Sequence, residues 1–546
     1  MKWWQKTTIY QIYPRSFYDT NEDGIGDIPG IIAKLDYIQN LGFETIWISP
    51  FYKSPGKDFH YDISDYRDID PIFGTLKDAE NLIAEVHRRN MKIVFDMVLN
   101  HTSDEHPWFK ESRSSKTNPK RDWYIWRKGK KNSPPNNWTS MINKPGWNYD
   151  PTTDEWYFAN FLSFQPDLNY RNPEVKEAMF DVMRYWLQKG VDGFRLDIFN
   201  SIYKDPEFRD NPLSFRFVPT PDYQDEAFFQ KKLHTLNHPD CFPLAKEVRG
   251  VIDEFSGDRF LIGEVSGNDK TLKKFLGEKQ DGLNLVFQFE LIDFEFSAKF
   301  FKRVLIKNEN TFPYPYTPTY VYGNHDQMRY IDKIENNPEK AKLLALFQFT
   351  ARGVPIVYYG EEIGIRDANI PNAEGKDPIA QQNAFIPNFF VNFFGIYLNR
   401  DNCRTPMQWS SAPHGGFSAP HVDPWLNVTL GFSYMNVESE TKDPNSLLNA
   451  YKSIIKLRNE QESFQTGNLE VVNDFDNLTD LLVFRRFSKD KNFYVFLNFG
   501  YKPLAVRVKN ITSISLKIGD ARFDSSIVTL DAYAGIVLES DQNSIS

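Results

Sequence analysis

Short apolar runs of strand length alternate with longer helix-like segments in the N-terminal part of the chain. The strand-like runs are residues 8–13, 43–49 and 92–99, and the helix-like segments are residues 28–41, ending before Gly42, and 76–90. Alternation of this kind is typical of parallel strands joined by crossover helices. The pattern therefore predicts an α/β fold built around a parallel sheet.

The alternation stops after the third strand and resumes later. Between residues 102 and 172 the chain is dense in Pro, Asn, Trp, Lys and Gly, and the run KKNSPPNNW can continue neither a helix nor a central strand. The alternation then returns with a helix-like segment at 173–189 and strand-like runs at 191–198, 259–265, 283–291, 319–322 and 354–359. An eighth strand completes the number that a closed (β/α)8 TIM barrel requires. We therefore predict that barrel, with an irregular excursion domain after its third strand.

The pattern changes again near the C-terminus. A last helix is predicted at 445–459, and after about Gly467 short alternating strands follow, namely LEVV, LLVFRRF, NFYVFLNF, LAVRVKN and SIVTL. Such strands, separated by turns, predict a small antiparallel β domain of the sandwich type. The expected division is barrel at 1–101 and 173–466, excursion domain at 102–172, and C-terminal β domain at 467–546.

The composition narrows the class of protein. A chain of 546 residues is too long to fold around a single hydrophobic core, so we expect more than one domain. Aromatic residues make up 16% of the chain. Sugar-binding sites use aromatic faces, but we expect most of these residues to lie in hydrophobic cores. The net charge of −9 is spread without a basic stripe, so we expect no nucleic-acid partner. Two isolated cysteines, Cys241 and Cys403, are expected to be free thiols.

No segment has the pattern of a membrane span. The N-terminal residues are polar and aromatic and lack the apolar core of a secretion signal. The most apolar stretch, 384–398, is interrupted by Pro387, Asn388 and Asn392 and is too short to cross a bilayer. We therefore expect a soluble, cytoplasmic protein without a membrane partner. We expect residues 384–398 to be buried, as a wall beside the functional pocket or as a subunit contact.

Three carboxylates stand where strand-like runs end: Asp197 in GFRLDI, Glu264 in FLIGEV and Asp326 in VYGNHD. In a parallel barrel these strand ends form the face where catalytic residues gather. Arg195 precedes Asp197 by two positions, so on a strand it faces the same side. Two carboxylates flanking a bridging oxygen are the minimum equipment for cleaving a glycosidic bond. A lone acid is usually a cap or a surface ion pair, but three at strand ends favour catalysis.

Nine short motifs support this interpretation, in the order IYQIYPRSF, DTNEDGIGD, DMVLNH, QPDLN, GFRLDI, GEV, GNHD, YYGEEIG and RTPMQW. In this order they resemble the α-amylase family of glycoside hydrolases, and within it the oligo-1,6-glucosidase and α-glucosidase branch. With the β domain, the resemblance covers nearly the whole chain. It implies a retaining, exo-acting α-glucosidase that removes terminal α-linked glucose from short oligosaccharides or disaccharides.

The resemblance implies that Asp197 is the nucleophile, Glu264 the acid/base and Asp326 the stabiliser of the transition state. In a retaining enzyme the two reacting carboxyl groups lie about 5–5.5 Å apart. Arg195 is expected to keep Asp197 ionised, and crowded negative charge is expected to keep Glu264 protonated. Asp96 is expected to orient Arg195 rather than to touch the substrate.

The resemblance also implies contacts to the sugar. Tyr61 is expected to stack on the terminal glucose, and Asp58 with Arg404 to grip a hydroxyl at its non-reducing end. The family usually has a small, glycine-like residue before this tyrosine, whereas this chain has His60. Further expected contacts on the aglycone side, with ordinary packing as an equal alternative, are Phe161 and Gln165. The remaining expected substrate contacts are His101, Arg195, Ile198, His325 and Arg329.

Ile198 directly follows the expected nucleophile. In relatives of this branch, Val at that position accompanies cleavage of α-1,6 bonds, and Thr or Ala accompanies cleavage of α-1,4 bonds. Because Ile is branched and apolar like Val, the resemblance favours isomaltose-type substrates, with sucrose or maltose also possible. The alternative is an α-glucosyl transferase or a sucrose isomerase on the same scaffold, although residues 294–308 do not match the Arg- and Asp-rich loop of those isomerases.

A non-catalytic, transporter-associated relative is a third alternative. Such a protein would lack catalytic carboxylates and carry a membrane segment, so we disfavour it. The sequence leaves open the oligomeric state, monomer or homo-oligomer, and the roles of segments 202–243 and 366–400.

An acidic run near the N-terminus suggests a metal site. From Asp19 to Asp27 it places oxygen-bearing side chains at alternate positions, and Gly24 permits a tight turn. Ca²⁺ prefers six or more oxygen ligands. The run resembles the start of a helix-loop-helix calcium loop, but Gly30 stands where the bidentate Glu would be. We therefore expect a structural Ca²⁺, or Mg²⁺, with a solvated acidic turn as the alternative. The expected ligands are Asp19, Asn21, Asp23, Ile25 and Asp27.

Overall fold

A computed structural model describes residues 1–214, 226–227, 230–386, 397–489 and 491–541. Eight short parallel strands form its central sheet, which confirms the predicted barrel. We label them β1 to β8 in chain order: Ile9–Ile12, Thr45–Ile48, Lys92–Met97, Gly193–Leu196, Phe260–Gly263, Leu285–Val286, Thr319–Val321 and Val354–Tyr358.

The strands are hydrogen-bonded in the order β6-β5-β4-β3-β2-β1-β8-β7. Side chains join the two ends of this order. The Thr319 backbone N–H donates to the Gln288 side-chain oxygen at 2.8 Å, and the Thr319 hydroxyl donates to the Val286 carbonyl at 3.0 Å. The barrel is therefore closed between β6 and β7 by a threonine and a glutamine rather than by a ladder.

Most of the helices lie along the barrel sequence and bury apolar residues, such as Leu82 and Val86 of the helix Leu76–Arg88. The predicted helix at 28–41 is two helices that meet at Lys34, and the second ends at Gly42, whose φ of +100° suits glycine. The α-helices are Ile28–Ala33, Leu35–Leu41, Leu76–Arg88, Pro107–Ser114, Pro173–Gln188, Cys241–Asp253, Asp269–Leu276, Ala298–Thr311, Tyr330–Lys333, Pro338–Thr350, Pro378–Gln382, Val437–Lys442, Leu447–Glu460 and Glu462–Gln465.

The segment after β3 has more regular structure than its sequence suggests. Three short antiparallel strands form a sheet in the order Trp126–Arg127, Glu155–Phe158 and Trp147–Asp150. A small core of its own includes Trp138, Trp147 and Phe158. Aromatic packing, rather than strand length, therefore holds this part of the chain together.

The C-terminal part contains two antiparallel sheets, as expected for a sandwich. Its strands, β9 to β16, are Asn468–Val471, Leu481–Phe487, Asn492–Asn498, Leu504–Arg507, Ile511–Ile518, Ala521–Asp524, Ile527–Leu530 and Gly535–Ser540. The sheet orders are β9-β10-β11-β16-β13 and β12-β15-β14. Side chains such as Phe496, Val528 and Ile536 fill the space between them.

Two ribbons flank the barrel: Tyr52–Lys53 with Asp65–Ile69, and Glu226–Ala227 with Gln230–Lys231. In the described part of the chain, no helix is long and apolar enough to cross a membrane. Most of the stretch 384–398, predicted to be buried, lies outside the described residues. At its N-terminal edge Phe385 is 77% exposed, so burial does not extend to that residue.

Candidate active site

The three carboxylates meet at the carboxyl ends of the strands. Asp197 directly follows β4, Glu264 directly follows β5, and Asp326 lies in the loop after β7. All three line one cavity of about 240 Å³. Its other lining residues are Asp58, Tyr61, His101, Met141, Phe161, Gln165, Ile198, Ile379, Tyr397 and Arg400.

Arg195 joins the reacting carboxylates. One guanidinium nitrogen, Nη1, donates to Asp197 at 2.7 Å and to Asp96 at 2.8 Å, while Nη2 donates to Glu264 at 2.5 Å. Asp96 also accepts from the Tyr61 hydroxyl at 3.0 Å, so it orients both Arg195 and Tyr61. The sequence predicted the contacts to Asp96 and Asp197 but not the one to Glu264.

Burial raises the pKa of Asp197 and of Glu264, each to about 7. Arg195 opposes the rise at both groups, and the other carboxylates add to it. Burial is therefore a larger cause than the crowded negative charge that the sequence suggested. Burial and mutual repulsion favour a proton on this pair, while Arg195 favours an ionised carboxylate within it. A retaining hydrolase needs that state, with one carboxylate ionised and one protonated.

Asp326 is held ionised. Its Oδ1 accepts from Arg404 at 2.7 Å and from Arg400 at 3.2 Å. Burial alone would raise the pKa of Asp326, but its neighbours outweigh burial and hold the pKa well below the usual range. Burial lowers the pKa of the adjacent His325 to about 3, so the two guanidinium groups supply the compensating positive charge near neutral pH.

The expected pairing of Asp58 with Arg404 is wrong. Asp58 instead accepts a hydrogen bond from Arg400 at 2.7 Å, and the same guanidinium binds Asp377 at 2.7 Å. Arg404 lies behind the cavity wall, with 1% of its surface exposed, and donates to the His325 carbonyl at 2.6 Å. The short 3-10 helix Arg400–Cys403 directs Arg400 towards the cavity, and Arg404 follows as its C-cap.

Arg329 does not take the substrate-contact role expected of it. It is 2% exposed, and its guanidinium donates to the Tyr359 carbonyl at 2.5 Å and to the Cys403 carbonyl at 2.9 Å. These bonds tie the end of β8 to the segment that carries Arg400 and Arg404. Arg329 therefore supports the arginines of the site from behind.

The two histidines and Tyr61 form one wall. The rings of Tyr61 and His325 are stacked, with centroids 5.3 Å apart and planes 3° from parallel. The Gln11 side-chain amide donates to His325 Nδ1 at 2.8 Å, which leaves the proton on Nε2, 3.1 Å from Asp326. His101 lines the cavity, and burial lowers its pKa to about 3, so its ring is neutral at pH 7.

Phe161 and Gln165 both line the cavity, but they make different contacts there. The Gln165 amide donates to Asp58 at 2.9 Å, which places Gln165 beside the Asp58–Arg400 pair. The Phe161 ring lies 5.9 Å from the Arg400 guanidinium. Gln165 therefore positions Asp58, and Phe161 supplies an apolar face next to the same arginine.

Ile198 adopts a backbone conformation that is unusual for its type. Its φ is +30° and its ψ is +44°, in the left-handed region that branched residues rarely enter. Its N–H lies 3.3 Å from Glu264 Oε2, and its side chain lines the cavity. Strain of this kind costs on the order of 1–3 kcal/mol and gathers at functional sites. Ile198 therefore links the nucleophile strand to the acid/base.

The loop from Asp19 to Asp27 lies outside the cavity. Asp19 accepts backbone hydrogen bonds from Glu22 and Gly24, both at 2.9 Å. A Cβ on Gly24 would stand 2.3 Å from the Asp423 carbonyl oxygen, so the turn requires glycine. Across the described ranges, no three His, Cys, Asp or Glu side chains are grouped so that they could hold a metal ion. The carboxylates of this loop mainly fix its own backbone.

The sequence did not single out three lining residues, Met141, Ile379 and Arg400. Arg400 had a detectable signal, because it stands in LNRDNCRTPMQW, next to a motif that was recognised. Met141 lies in the excursion segment, where no periodic pattern of apolar residues shows which side chains point inward. Ile379 comes from the long segment after β8, for which the sequence indicated no role. Tyr397 belongs to the stretch 384–398, and its place in the cavity lining agrees with the predicted wall beside the pocket.

Comparisons with known proteins agree with this geometry. A family model described as alpha amylase, catalytic domain, matches residues 11–467. The chain is 39% identical over 502 residues to the oligo-1,6-glucosidase of Parageobacillus thermoglucosidasius, covering 87% of this chain and 86% of that protein. It is 35% identical over 594 residues to the alpha-glucosidase of Schizosaccharomyces pombe, covering 98% of each.

A solved structure extends the likeness to nearly every residue. The crystal structure of an alpha-glucosyl transfer enzyme matches with a TM-score of 0.89 and 33% identity, over 99% of this chain and 100% of that chain. The match covers the excursion segment and the C-terminal sheets as well as the barrel.

Proposed function

The chain belongs to the α-amylase family of glycoside hydrolases, and on that premise we propose that it is a retaining, exo-acting α-glucosidase that hydrolyses short oligosaccharides or disaccharides. The observation that carries this proposal is the placement of Asp197 and Glu264 on the two arms of Arg195, in a cavity whose other end holds Asp58 and Arg400. Both glucosidase relatives support the same substrate class.

Each carboxylate has a defined part in the proposed reaction. Protonated Glu264 gives its proton to the bridging oxygen as that bond breaks, and ionised Asp197 attacks the anomeric carbon to form a glucosyl ester. Glu264, now ionised, takes a proton from water, and the water oxygen displaces Asp197 from the sugar. Two inversions return glucose in the α configuration. Asp326, held ionised by Arg400 and Arg404, faces the positive charge that develops on the sugar ring.

The end of the cavity that holds Asp58 and Arg400 supports action at chain ends. Asp58 accepts hydrogen bonds from Arg400 at 2.7 Å and from Gln165 at 2.9 Å, so its orientation is fixed before any sugar arrives. A charged, hydrogen-bonded pair of this kind suits the hydroxyl groups of one terminal glucose. The opposite side, beside Glu264 and Ile198, must then accept the leaving sugar.

Product analysis tests the proposal directly. Isomaltose, maltose and sucrose would be offered in turn, and sugars would be followed from the first turnovers. Free glucose as the main early product supports hydrolysis. The alternative is transfer of glucose to another sugar through the same covalent intermediate, a use favoured by the likeness to an alpha-glucosyl transfer enzyme. Isomerised disaccharides or longer glucosides as the main products would overturn the hydrolytic assignment.

We expect Ile198 to set linkage preference towards isomaltose over maltose. Its strained backbone fixes the branched side chain in the cavity close to Glu264, on the side of the leaving sugar. One methylene changes discrimination by about 1–3 kcal/mol, so a preference rather than an absolute rule is expected. Ile198→Thr should move the ratio of kcat/KM values for isomaltose and maltose towards maltose by roughly tenfold. A wild type that prefers maltose, with a ratio unchanged by the substitution, would contradict this role.

We also propose that the loop from Asp19 to Asp27 binds Ca²⁺, or Mg²⁺, as a structural ion. Its donors are all oxygen, and the Asn21 amide and Ile25 carbonyl would complement the carboxylates. An ion that binds only the native state raises the melting temperature. We expect Ca²⁺ to raise it by several degrees over chelator-treated protein, with kcat unchanged, and Asp23→Ala to abolish the shift. Unchanged melting with no metal in elemental analysis would refute the site.

A cytoplasmic location remains part of the proposal. Cys241 and Cys403 are both buried free thiols, as is usual for proteins of a reducing compartment.

A further inference from the structure

Lys232 is a buried lysine in the segment between β4 and β5. Only 1% of its surface is exposed. Its ammonium group donates to three oxygens of the excursion segment: the Thr139 carbonyl at 2.5 Å, the Thr139 hydroxyl at 2.6 Å and the Ser140 carbonyl at 2.7 Å. All three hydrogen-bonding capacities of the ammonium group are therefore used on two consecutive residues.

The residue after these two is Met141, which lines the active-site cavity. Its N–H donates to the Asn160 carbonyl at 2.7 Å, next to Phe161 of the same cavity. Gln230 reinforces the attachment, since its side-chain oxygen accepts from the Thr139 N–H at 3.2 Å. The position of the Met141 wall is therefore fixed from outside the excursion segment.

The other end of the Lys232 turn reaches the catalytic loops. The Lys232 carbonyl accepts from the Leu236 N–H at 3.0 Å, and the next residue, Asn237, donates from its backbone to the Asn200 carbonyl at 2.8 Å. The Asn237 side chain donates to the Ser266 carbonyl at 3.0 Å. Asn200 lies two residues after Ile198, and Ser266 lies two residues after Glu264. One short turn thus connects Met141 to the loops that carry the acid/base and Ile198.

The arrangement has an energetic cost. Burial lowers the pKa of Lys232 to about 7, because the interior disfavours the ammonium ion. An apolar side chain of similar length would fill the space without that cost. The three hydrogen bonds to the backbone and side chain of residues 139 and 140 offset it, and their effect is to hold Met141 in place.

We propose that Lys232 is a positioning residue that sets the width of the leaving-sugar side of the pocket, because its turn ties the Met141 wall to the loops that follow Ile198 and Glu264. The proposal rests on the proposed function, because the acid/base protonates the oxygen of the leaving sugar and so defines that side. A shift of about 1 Å in such a wall is enough to change a rate by roughly 10²-fold.

The test compares two donors in one set of variants. On this proposal a disaccharide places its leaving sugar against Met141, whereas α-glucosyl fluoride places only a fluorine atom there. Lys232→Met is expected to lower kcat/KM for isomaltose about tenfold, mainly through KM, and to change kcat/KM for the fluoride less than about twofold. The fluoride rate also reports how much of each variant is folded. Lys131→Met, at an exposed position of the same excursion segment, is the matched control and should match wild type on both donors.

A double variant decides whether Lys232 acts through Met141. Met141→Ala alone should reduce isomaltose turnover selectively, and adding Lys232→Met should reduce it no further, because two residues in one chain of contacts do not act additively. Additive losses, or equal losses on the disaccharide and the fluoride, would overturn the positioning role. A wild type that consumes the fluoride but no disaccharide would instead refute the proposed function.

Discussion

Asp197→Asn is expected to lower kcat by roughly 10⁴-fold or more, and Glu264→Gln by about 10²–10⁴-fold. The Asn side chain keeps the size of Asp197 and can still accept the Arg195 hydrogen bond, but it cannot attack the anomeric carbon. The Gln side chain keeps the contacts of Glu264 but has no acidic proton to give. Steady-state rates on isomaltose and on α-glucosyl fluoride measure both losses.

The fluoride separates the two roles. Fluoride ion leaves without a proton donor, so Glu264→Gln should keep most of the first step with this donor and accumulate the glucosyl ester on Asp197. Asp197→Asn should fail with both donors. Mass spectrometry of the protein after mixing would detect the ester. If both variants lose the same factor on both donors, the separate assignment of nucleophile and acid is wrong.

The configuration of the first product is the accompanying check. NMR of freshly released glucose should show the α anomer, because two displacements at one carbon restore the starting configuration. Early β-glucose would mean that a water, and not Asp197, attacks the sugar. Thermal melting of both variants should stay close to wild type, because Asn and Gln fill the space of the carboxyls without a buried charge.

The barrel and its catalytic acids could be predicted because they follow periodic rules. Parallel strands that are buried on both faces appear as short apolar runs, and the residue after such a run must lie on the catalytic face. This logic located Asp197, Glu264 and Asp326 before any geometry was known. It also placed Arg195 beside Asp197, since residues two apart on a strand share a face.

The loops could not be predicted in the same way. Arg400 and Arg404 lie in one irregular segment, and only the 3-10 helix Arg400–Cys403 determines that Arg400, and not Arg404, reaches Asp58. The bond from Gln165 to Asp58 could not be predicted either, because a loop has no periodic pattern that shows where a side chain points. The contact from Arg195 to Glu264 joins neighbouring strands, which a single-strand pattern does not describe.

The excursion segment shows the same limit at a larger scale. Its Pro and Asn runs correctly predicted irregular chain, but the three-stranded sheet depends on cross-strand aromatic pairs such as Trp147 with Phe158. Such pairs join different strands and follow no periodic pattern along the chain. The Lys232 contacts to residues 139 and 140 are of this kind too, since 92 or 93 positions separate the partners.

Arg400→Met is expected to reduce kcat/KM by about 10²–10³-fold, the second largest effect of the set. The guanidinium binds Asp58 at 2.7 Å, Asp377 at 2.7 Å and Asp326 at 3.2 Å, all in a largely buried site. Removing one partner of a buried charge pair costs about 2–5 kcal/mol, much of it from the charges left unpaired. Asp58 would lose its fixed orientation towards the terminal glucose, so KM should rise as well as kcat fall.

Two companion variants make this test specific. Arg400→Lys keeps the charge but cannot reach three carboxylates with one planar group, so an intermediate loss is expected. Arg303→Met removes an arginine whose side chain is 64% exposed, on the helix Ala298–Thr311, and should behave as wild type.

The inhibition constant of glucose measures the glucose end alone. It should rise strongly in Arg400→Met and much less in Arg404→Met, because Arg404 reaches Asp326 but lies behind the wall that Asp58 and Arg400 form. A larger rise of this constant in Arg404→Met than in Arg400→Met would mean that Arg404 recognises the terminal glucose, as the sequence motif suggested.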